Sequence, residues 1–217
     1  MTDYYVLHSG GIDSTTTLAL ALNRSDARRV TPISISYGQR HIRELDAAQH
    51  IHDHYGLAGI TLDLTGYGQS VTSALTTDQP IPRGAYDEET MGSTEVPARN
   101  AVFLSAAAGI AASLTTDDHP TQLVTAVHGG DHHLYPDCRP DFIHAMNQAL
   151  HLATGVTLWT PLLHMTKTEI ITTAHQHNTP LHLTWSCYEG GTTPCGECGT
   201  CHERAQAFHE AGLEDHP

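Results

Sequence analysis

The stretch His8-Ser9-Gly10-Gly11-Ile12-Asp13-Ser14-Thr15-Thr16 decides how the rest of the chain is read. It follows an apolar run, Tyr4 to Leu7, and leads into a helical pattern, Leu18 to Leu22. Strand, glycine turn and helix in that order form a setting in which a loop can hold phosphate. Adjacent glycines let the backbone approach an anion closely. The start of the helix adds unpaired N–H groups and the positive end of its dipole. His8, Ser9, Gly10, Gly11, Asp13, Ser14, Thr15 and Thr16 are therefore the expected nucleotide-binding residues, with the hydroxyls of Ser9, Ser14, Thr15 and Thr16 as extra donors. The Gly-Lys-Ser/Thr ending of loops that serve γ-phosphate transfer is absent, which points to a loop that grips pyrophosphate. The plain structural alternative is a turn capped by Asp13 or Ser14.

At 217 residues the chain is long enough for one sizeable domain with its own core. No apolar run reaches transmembrane length and no signal peptide is evident, so a soluble cytoplasmic protein without a membrane partner is expected. Ten Lys and Arg face 24 Asp and Glu, a formal charge of -14. So acidic a surface argues against a broad nucleic-acid footprint, because phosphate neutralisation needs clustered cations. Lys167 is the only lysine, and the 18 histidines are scattered and read mostly as surface residues.

Val30 to Tyr37 and Ile60 to Leu64 read as strands, with a helix between them that ends near Tyr55. Residues 66 to 98 have weak periodicity and are expected to form a lid, a binding loop or a disordered stretch. Arg99 to Leu114 is the clearest helix, almost apolar all round. Gln122 to Val127 reads as a buried strand, Pro140 to Leu152 as a helix, and Thr157 to Leu163 as a strand and turn. Thr166 to His177 is a helix opened by a Thr166/Glu169 capping box, and Cys201 to Ala211 is the last element. This alternation implies an α/β fold, a Rossmann-like parallel sheet with helices on both faces. The loops after the first, second and fourth strands should then converge on one site.

Cys187, Cys195, Cys198 and Cys201 cluster near the C-terminus. In a cytosolic chain that spacing reads as metal before disulfide, and four thiolates would close a structural zinc site. An iron–sulfur cluster and a redox Cys-x-x-Cys are the competing readings.

The Ser-Gly-Gly-x-Asp-Ser turn resembles the pyrophosphate loop of the N-type ATP pyrophosphatases. Further motifs extend the likeness along the chain: Tyr37-Gly38-Gln39-Arg40-His41, Val96-Pro97-Ala98-Arg99-Asn100, Tyr135-Pro136-Asp137-Cys138-Arg139, Thr184-Trp185-Ser186-Cys187-Tyr188 and Cys195-Gly196-x-Cys198-x-x-Cys201. With these in order, the chain resembles the QueC family of 7-cyano-7-deazaguanine synthases. The resemblance implies one N-type ATP pyrophosphatase domain over 1–217, including a zinc segment at 186–212. It also implies ATP, Mg²⁺ and Zn²⁺, with 7-carboxy-7-deazaguanine and ammonia as substrates and a nitrile as product.

On this resemblance Asp13, Arg99 and Lys167 are the expected catalytic residues. Arg99, Asn100, Asp131, Asp137 and Arg139 are expected at the substrate. Plainer roles stand beside several of these: a helix cap for Asp13, helix-start packing for Arg99 and Asn100, and a solvated lysine for Lys167. Cys138 reads either as a nucleophile or as a buried small residue. Glu95 and the histidine-rich turn His128 to His133 depart from the family pattern in loops expected to face the substrate. No glutaminase domain is expected beside this fold in 217 residues, and ammonia is expected to come free or from a partner. The oligomeric state is left open, with a homodimer kept in view. The alternatives are an adenylating enzyme with another substrate and a non-catalytic nucleotide-binding paralogue.

Overall fold

The computed structural model describes residues 1–115 and 119–216. Five parallel strands lie in the order β3-β2-β1-β4-β5. They are β1 (Thr2–Leu7), β2 (Ala27–Ser36), β3 (Ile60–Asp63), β4 (Thr121–Val124) and β5 (Thr157–Trp159). The helices are α1 (Ile12–Leu22), α2 (Arg43–Tyr55), two short turns α3 (Thr65–Gly68) and α4 (Glu88–Met91), α5 (Arg99–Leu114), α6 (Pro140–Thr154), α7 (Lys167–Gln176) and α8 (Gly199–Ala211).

β1 is covered on both faces, which is why its sequence is apolar without alternation. Tyr4 and Val6 pack with Leu18, Ala21 and Ile51 of α1 and α2. Tyr5, between them, faces the other way, into Leu104, Ala107, Ala108 and Ala111 of α5. The small alanines bring α5 close to the sheet. On the first face, Ile12, Ile170, Ile171, Ala207 and Phe208 join α1, α7 and α8 in a further cluster. The capping box stands as expected: Glu169 N–H donates to Thr166 Oγ1, and the Glu169 carboxylate accepts from Thr166 N–H.

Of the three expectations for residues 66–98, a lid, a binding loop or a disordered stretch, disorder does not hold, and the segment supplies Tyr86 to a cavity. Ala74, Leu75, Ile81, Met91 and Val96 of this segment are buried. Most of them share a cluster with Ile35, Tyr37 and three of the cysteines, Cys187, Cys198 and Cys201. Arg83 bridges to Cys198, and Gly84 N–H donates to the Glu197 carbonyl. These contacts are long-range, so no local periodicity announces them.

β1 is the point at which the sheet reverses order: the chain passes to β2 on one side and later returns to β4 on the other. In open parallel sheets the crevice beyond the strand ends at such a point takes the ligand.

Candidate active site and metal centre

A cavity of about 240 Å³ opens at that crevice. Its walls come from the loops after β1, β2 and β4, as expected, together with the starts of α5 and α7, residues 185–188 and α8.

The β1 loop enters α1 through Gly11, whose position at the helix start carries no side-chain cap. Asp13 is therefore not the cap. The first N–H groups of the helix are left for another acceptor. Gly10 sits at φ +86, and a Cβ there would lie 2.3 Å from the Glu44 carbonyl oxygen. Glycine is required at this position by both conformation and packing on α2. Ser9 and Ser14 hydroxyls lie 3.2 Å apart at the cavity edge. Thr15 and Thr16 do not serve as expected. Their hydroxyls donate to the Gly11 and Ile12 carbonyls, and both side chains are buried in the helix. His8 is likewise buried, with its ring turned to His52 and Thr15.

Lys167 is not a solvated lysine. Its Nζ donates to Asp13 Oδ2 at 2.8 Å and lies 3.1 Å from Glu203 Oε2. Burial disfavours the ammonium, but Asp13 and Glu203 outweigh it and hold the pKa above the usual lysine range. Burial also opposes the Asp13 carboxylate, and Lys167 and His128 reverse that, leaving its pKa lowered. Glu203 is raised, chiefly by burial. His128 Nδ1 accepts from Gly130 N–H, which leaves the proton on Nε2, 3.7 Å from Asp13 and 3.5 Å from Asp131. Tyr86 donates to Asp131 Oδ1 at 2.9 Å.

Arg99 reaches the cavity at the start of α5, directly after Ala98, a non-glycine residue at φ 57. Tyr37, Tyr188, Cys138 and Tyr135 act electrostatically on its guanidinium, Tyr37 also by a hydrogen bond, and no carboxylate pairs with it among the described residues. Asn100 instead makes the start of α5: its N–H and Nδ2 donate to the Asp137 side chain, and Nδ2 also reaches Cys138 Sγ at 3.2 Å. The expected substrate role of Asp137 is thus replaced by capping α5, and Asp137 does not line the cavity. Arg139 is exposed, outside the cavity, with Nε donating to the His132 carbonyl. Cys138 is buried, and burial pushes its thiol well up, so it stays protonated. Cys138 lines the cavity, and its burial and raised thiol favour the reading as a buried small residue over that as a nucleophile. Glu95 is exposed and off the cavity, so this departure does not face the site; in the histidine-rich turn, His128 and Asp131 do.

The sequence placed His128 in a turn expected to face the substrate but gave it no role, and it singled out none of Glu203, Tyr86 and His41. His41 is 3% exposed, with Nε2 3.4 Å from Glu44, its ring against Tyr188 and its Nδ1 without a partner. The Tyr37-Gly38-Gln39-Arg40-His41 motif was the one signal available for it. Glu203, two residues past Cys201, had none.

The four cysteines are free thiols whose sulfurs all lie within 4.8 Å of one another. A tetrahedral ion with bonds of ~2.3 Å sets its sulfurs about 3.8 Å apart. Cys198 and Cys201 sulfurs are 3.5 Å apart, and Cys195 and Cys201 sulfurs 4.0 Å. Backbone N–H groups of Cys195, Glu197 and Cys198 donate to sulfur, which favours thiolates. The centre also holds the cavity wall: Trp185 N–H donates to the Gly10 carbonyl, and Trp185 Nε1 to the Cys187 carbonyl. Arg204 on α8 ties Thr184 and Ser186 to Asp215.

The fold and site define an α/β protein with a glycine turn at the switch point of the sheet and, beside it, a four-cysteine cluster that could hold a metal ion. A family described as "Queuosine biosynthesis protein QueC" matches residues 4–212, and the chain belongs to that family. It is similar to the 7-cyano-7-deazaguanine synthase of Rhizobium rhizogenes, 45% identical over 97% of this chain and 89% of the relative. The enzyme of that name from Ruegeria pomeroyi is also 45% identical, over 97% and 91%. Among solved structures, the predicted subunit of tRNA methyltransferase from Methanocaldococcus jannaschii shares the fold, with TM-score 0.51 at 15% identity over 99% of this chain and 90% of that one. No helix among the described residues is long and apolar enough to cross a membrane.

Proposed function

We propose that the chain converts 7-carboxy-7-deazaguanine and ammonia to the nitrile 7-cyano-7-deazaguanine at the expense of ATP. One observation carries this reading: the family match spans residues 4–212 and so runs through every loop that meets at the cavity. The two similar synthases bear the same activity in their names.

A carboxylate cannot lose oxide directly. Its oxygen attacks the α-phosphorus of ATP, pyrophosphate leaves, and an acyl-adenylate results. Ammonia then attacks the acyl carbon, loses a proton and expels AMP, giving the amide. Adenylation of the amide oxygen by a second ATP, followed by loss of AMP and the remaining nitrogen protons, leaves the nitrile. Such chemistry asks chiefly for positioning and charge stabilisation.

The uncapped start of α1 and the Ser9 hydroxyl, held beside Ser14, suit the phosphates of ATP. Asp13 Oδ1 is buried without a partner, and Asp13, Asp131 and Glu203 outnumber Lys167. That donor set fits Mg²⁺, which is commonly held by one or two carboxylates plus phosphate oxygens and which neutralises the departing pyrophosphate. Lys167 stands ready to balance charge at phosphorus. Arg99, charged and influenced by tyrosines rather than paired with a carboxylate, suits the substrate carboxylate. With Asp13 and Glu203 enough for the ion, Asp131, the carboxylate of the set that does not touch Lys167, suits the guanine-like edge, where a carboxylate accepts from an amino group and a ring N–H together. The cysteine centre suits Zn²⁺ in a closed structural role within the one domain, because several irons would hold the sulfurs farther apart.

Incubation with ATP, ammonia and 7-carboxy-7-deazaguanine should yield AMP, the amide and then the nitrile by mass detection. Absence of both AMP and nitrile would overturn the reading. Omitting a glutamine-hydrolysing partner while supplying ammonium tests whether free ammonia suffices.

A further inference from the structure

Beneath the phosphate loop lie two buried histidines that the proposed chemistry does not use. His8 directly follows β1 and His52 sits on α2; they are 2% and 3% exposed. His8 Nδ1 lies 2.9 Å from His52 Nε2, and His8 Nε2 lies 3.2 Å from Thr15 Oγ1. Thr15 Oγ1 is in turn 2.7 Å from the carbonyl oxygen of Gly11.

The protons in this row can be placed. A carbonyl only accepts, so the Thr15 hydroxyl gives its hydrogen to Gly11. Thr15 Oγ1 then accepts from His8 Nε2–H. Burial drives the His8 pKa down to about 3 and lowers that of His52 too, so each ring is neutral and carries one N–H. With its proton on Nε2, His8 presents a bare Nδ1, which accepts from His52 Nε2–H. Every donor therefore points from α2 towards the loop. Gly59 makes room for the far ring: a Cβ there would come within 2.5 Å of His52 Nδ1.

The Gly11 carbonyl also accepts from Thr15 N–H at 3.0 Å and from the Ser14 hydroxyl at 3.2 Å. In a trans peptide the carbonyl and the following N–H point in opposite directions. Fixing the Gly11 oxygen into the helix therefore aims Ile12 N–H out of the helix start, where Gly11 and Ile12 line the cavity. Thr16 and Thr17 also bond back to carbonyls four residues earlier, but neither has a histidine behind its hydroxyl.

We propose that the row His52–His8–Thr15 is a positioning device for the phosphate loop, holding the Gly11–Ile12 peptide so that its N–H meets the phosphates of ATP. These residues act through that peptide and are not catalytic themselves. The inference rests on the reading that the loop binds ATP.

Thr15→Val keeps the shape and removes the hydroxyl, His8→Phe removes the ring donors, and Thr15→Ser restores the hydroxyl. AMP formation measured against ATP and, separately, against the carboxylate substrate should show KM for ATP rising roughly tenfold in the first two variants, with KM for the carboxylate little changed. Thr15→Ser should recover most of the loss. Histidine ¹⁵N NMR should show Nε2–H tautomers for both rings, with the His52 signal displaced in His8→Phe. Unchanged KM for ATP in Thr15→Val, or an Nδ1–H tautomer at His8, would overturn the proposal. If His8→Phe does not fold, Thr15→Val and the wild-type spectrum still decide. A wild-type protein that makes no AMP from ATP defeats the functional reading instead, and the tautomers alone then judge the proton row.

Discussion

The phosphate loop and the cysteine segment face each other across one cavity, yet they are built on different physical terms. The loop is local. Ser9, Gly11, Ser14 and Thr15 satisfy one another within seven residues, and the helix start does the rest. The cysteine segment gathers distant chain: Cys198 bridges to Arg83, Gly190 lies against the Arg40 carbonyl, and Gly199 lies against Met91. Trp185, Tyr188 and Glu203 reach the cavity because this segment holds them there. Loss of the loop's details should therefore weaken nucleotide binding alone. Loss of the cysteine cluster should dismantle a whole wall.

The largest effect tests that contrast directly. Cys198→Ser removes one of four ligands and the partner of Cys201 and Thr200. Because metal binding of this kind is itself folding free energy, the variant should lose its bound metal, measurable by elemental analysis. Nitrile formation should fall below detection, and protection of amides in 185–188 against hydrogen exchange should be lost. A metal-free variant with normal turnover would show that the wall stands without the ion.

Lys167→Met comes next. It leaves Asp13, Asp131 and Glu203 facing one another without the ammonium. Removing one partner of a buried charge pair typically costs about 3–5 kcal/mol, reduced here by whatever protons the carboxylates take up. A drop in kcat of about 10²–10³ is expected in AMP formation, the scale of one lost electrostatic contact at a transition state. A change in KM for ATP alone would instead place Lys167 in ground-state binding.

Legibility in the sequence follows the same division. The order of strands and helices, α5 from Arg99 to Leu114, the Thr166 capping box and the convergence of three loops could be read because periodicity, capping and glycine turns act over a few residues. The four cysteines could be read because ligand spacing is local too. The packing of residues 66–98 could not, since Ala74, Leu75, Ile81 and Val96 are buried with partners far along the chain. The same limit explains Asp137, whose carboxylate turned out to serve Asn100 across 37 residues, and Glu203, whose partner Lys167 lies on another helix. Thr15 and Thr16 misled for a local reason: inside a helix a threonine hydroxyl turns back to the carbonyl four residues earlier.

A smaller effect separates the loop's support from its surface. His8 keeps its neutral ring to about pH 3 in the fold, against 6.5 for an ordinary histidine. Above pH 6.5 both folded and unfolded chains hold it neutral, so it adds no pH dependence there. As the pH falls below that, the unfolded chain takes a proton that the native core refuses, and stability declines by about 1.4 kcal/mol per unit from this site. Thermal unfolding of His8→Phe should therefore fall less steeply than wild type between pH 6 and pH 4. Parallel slopes would mean that the ring is hydrated and protonated in the fold.

The smallest expected effect concerns Glu95. Its charge departs from the family pattern beside Val96 and Pro97, which made it a candidate for altered substrate choice. In the fold Val96 points into the core that contains Cys187 and Cys198, whereas Glu95 is exposed and does not line the cavity. A solvated carboxylate with no partner near the site has little leverage, since exposed substitutions away from special features usually change stability by no more than about 0.5 kcal/mol. Glu95→Val should keep KM for 7-carboxy-7-deazaguanine within about twofold, the factor to which so small an energy corresponds. A larger shift would mean that the 95–98 turn moves onto the substrate, and the cavity would then have a third wall set neither by the loop nor by the metal.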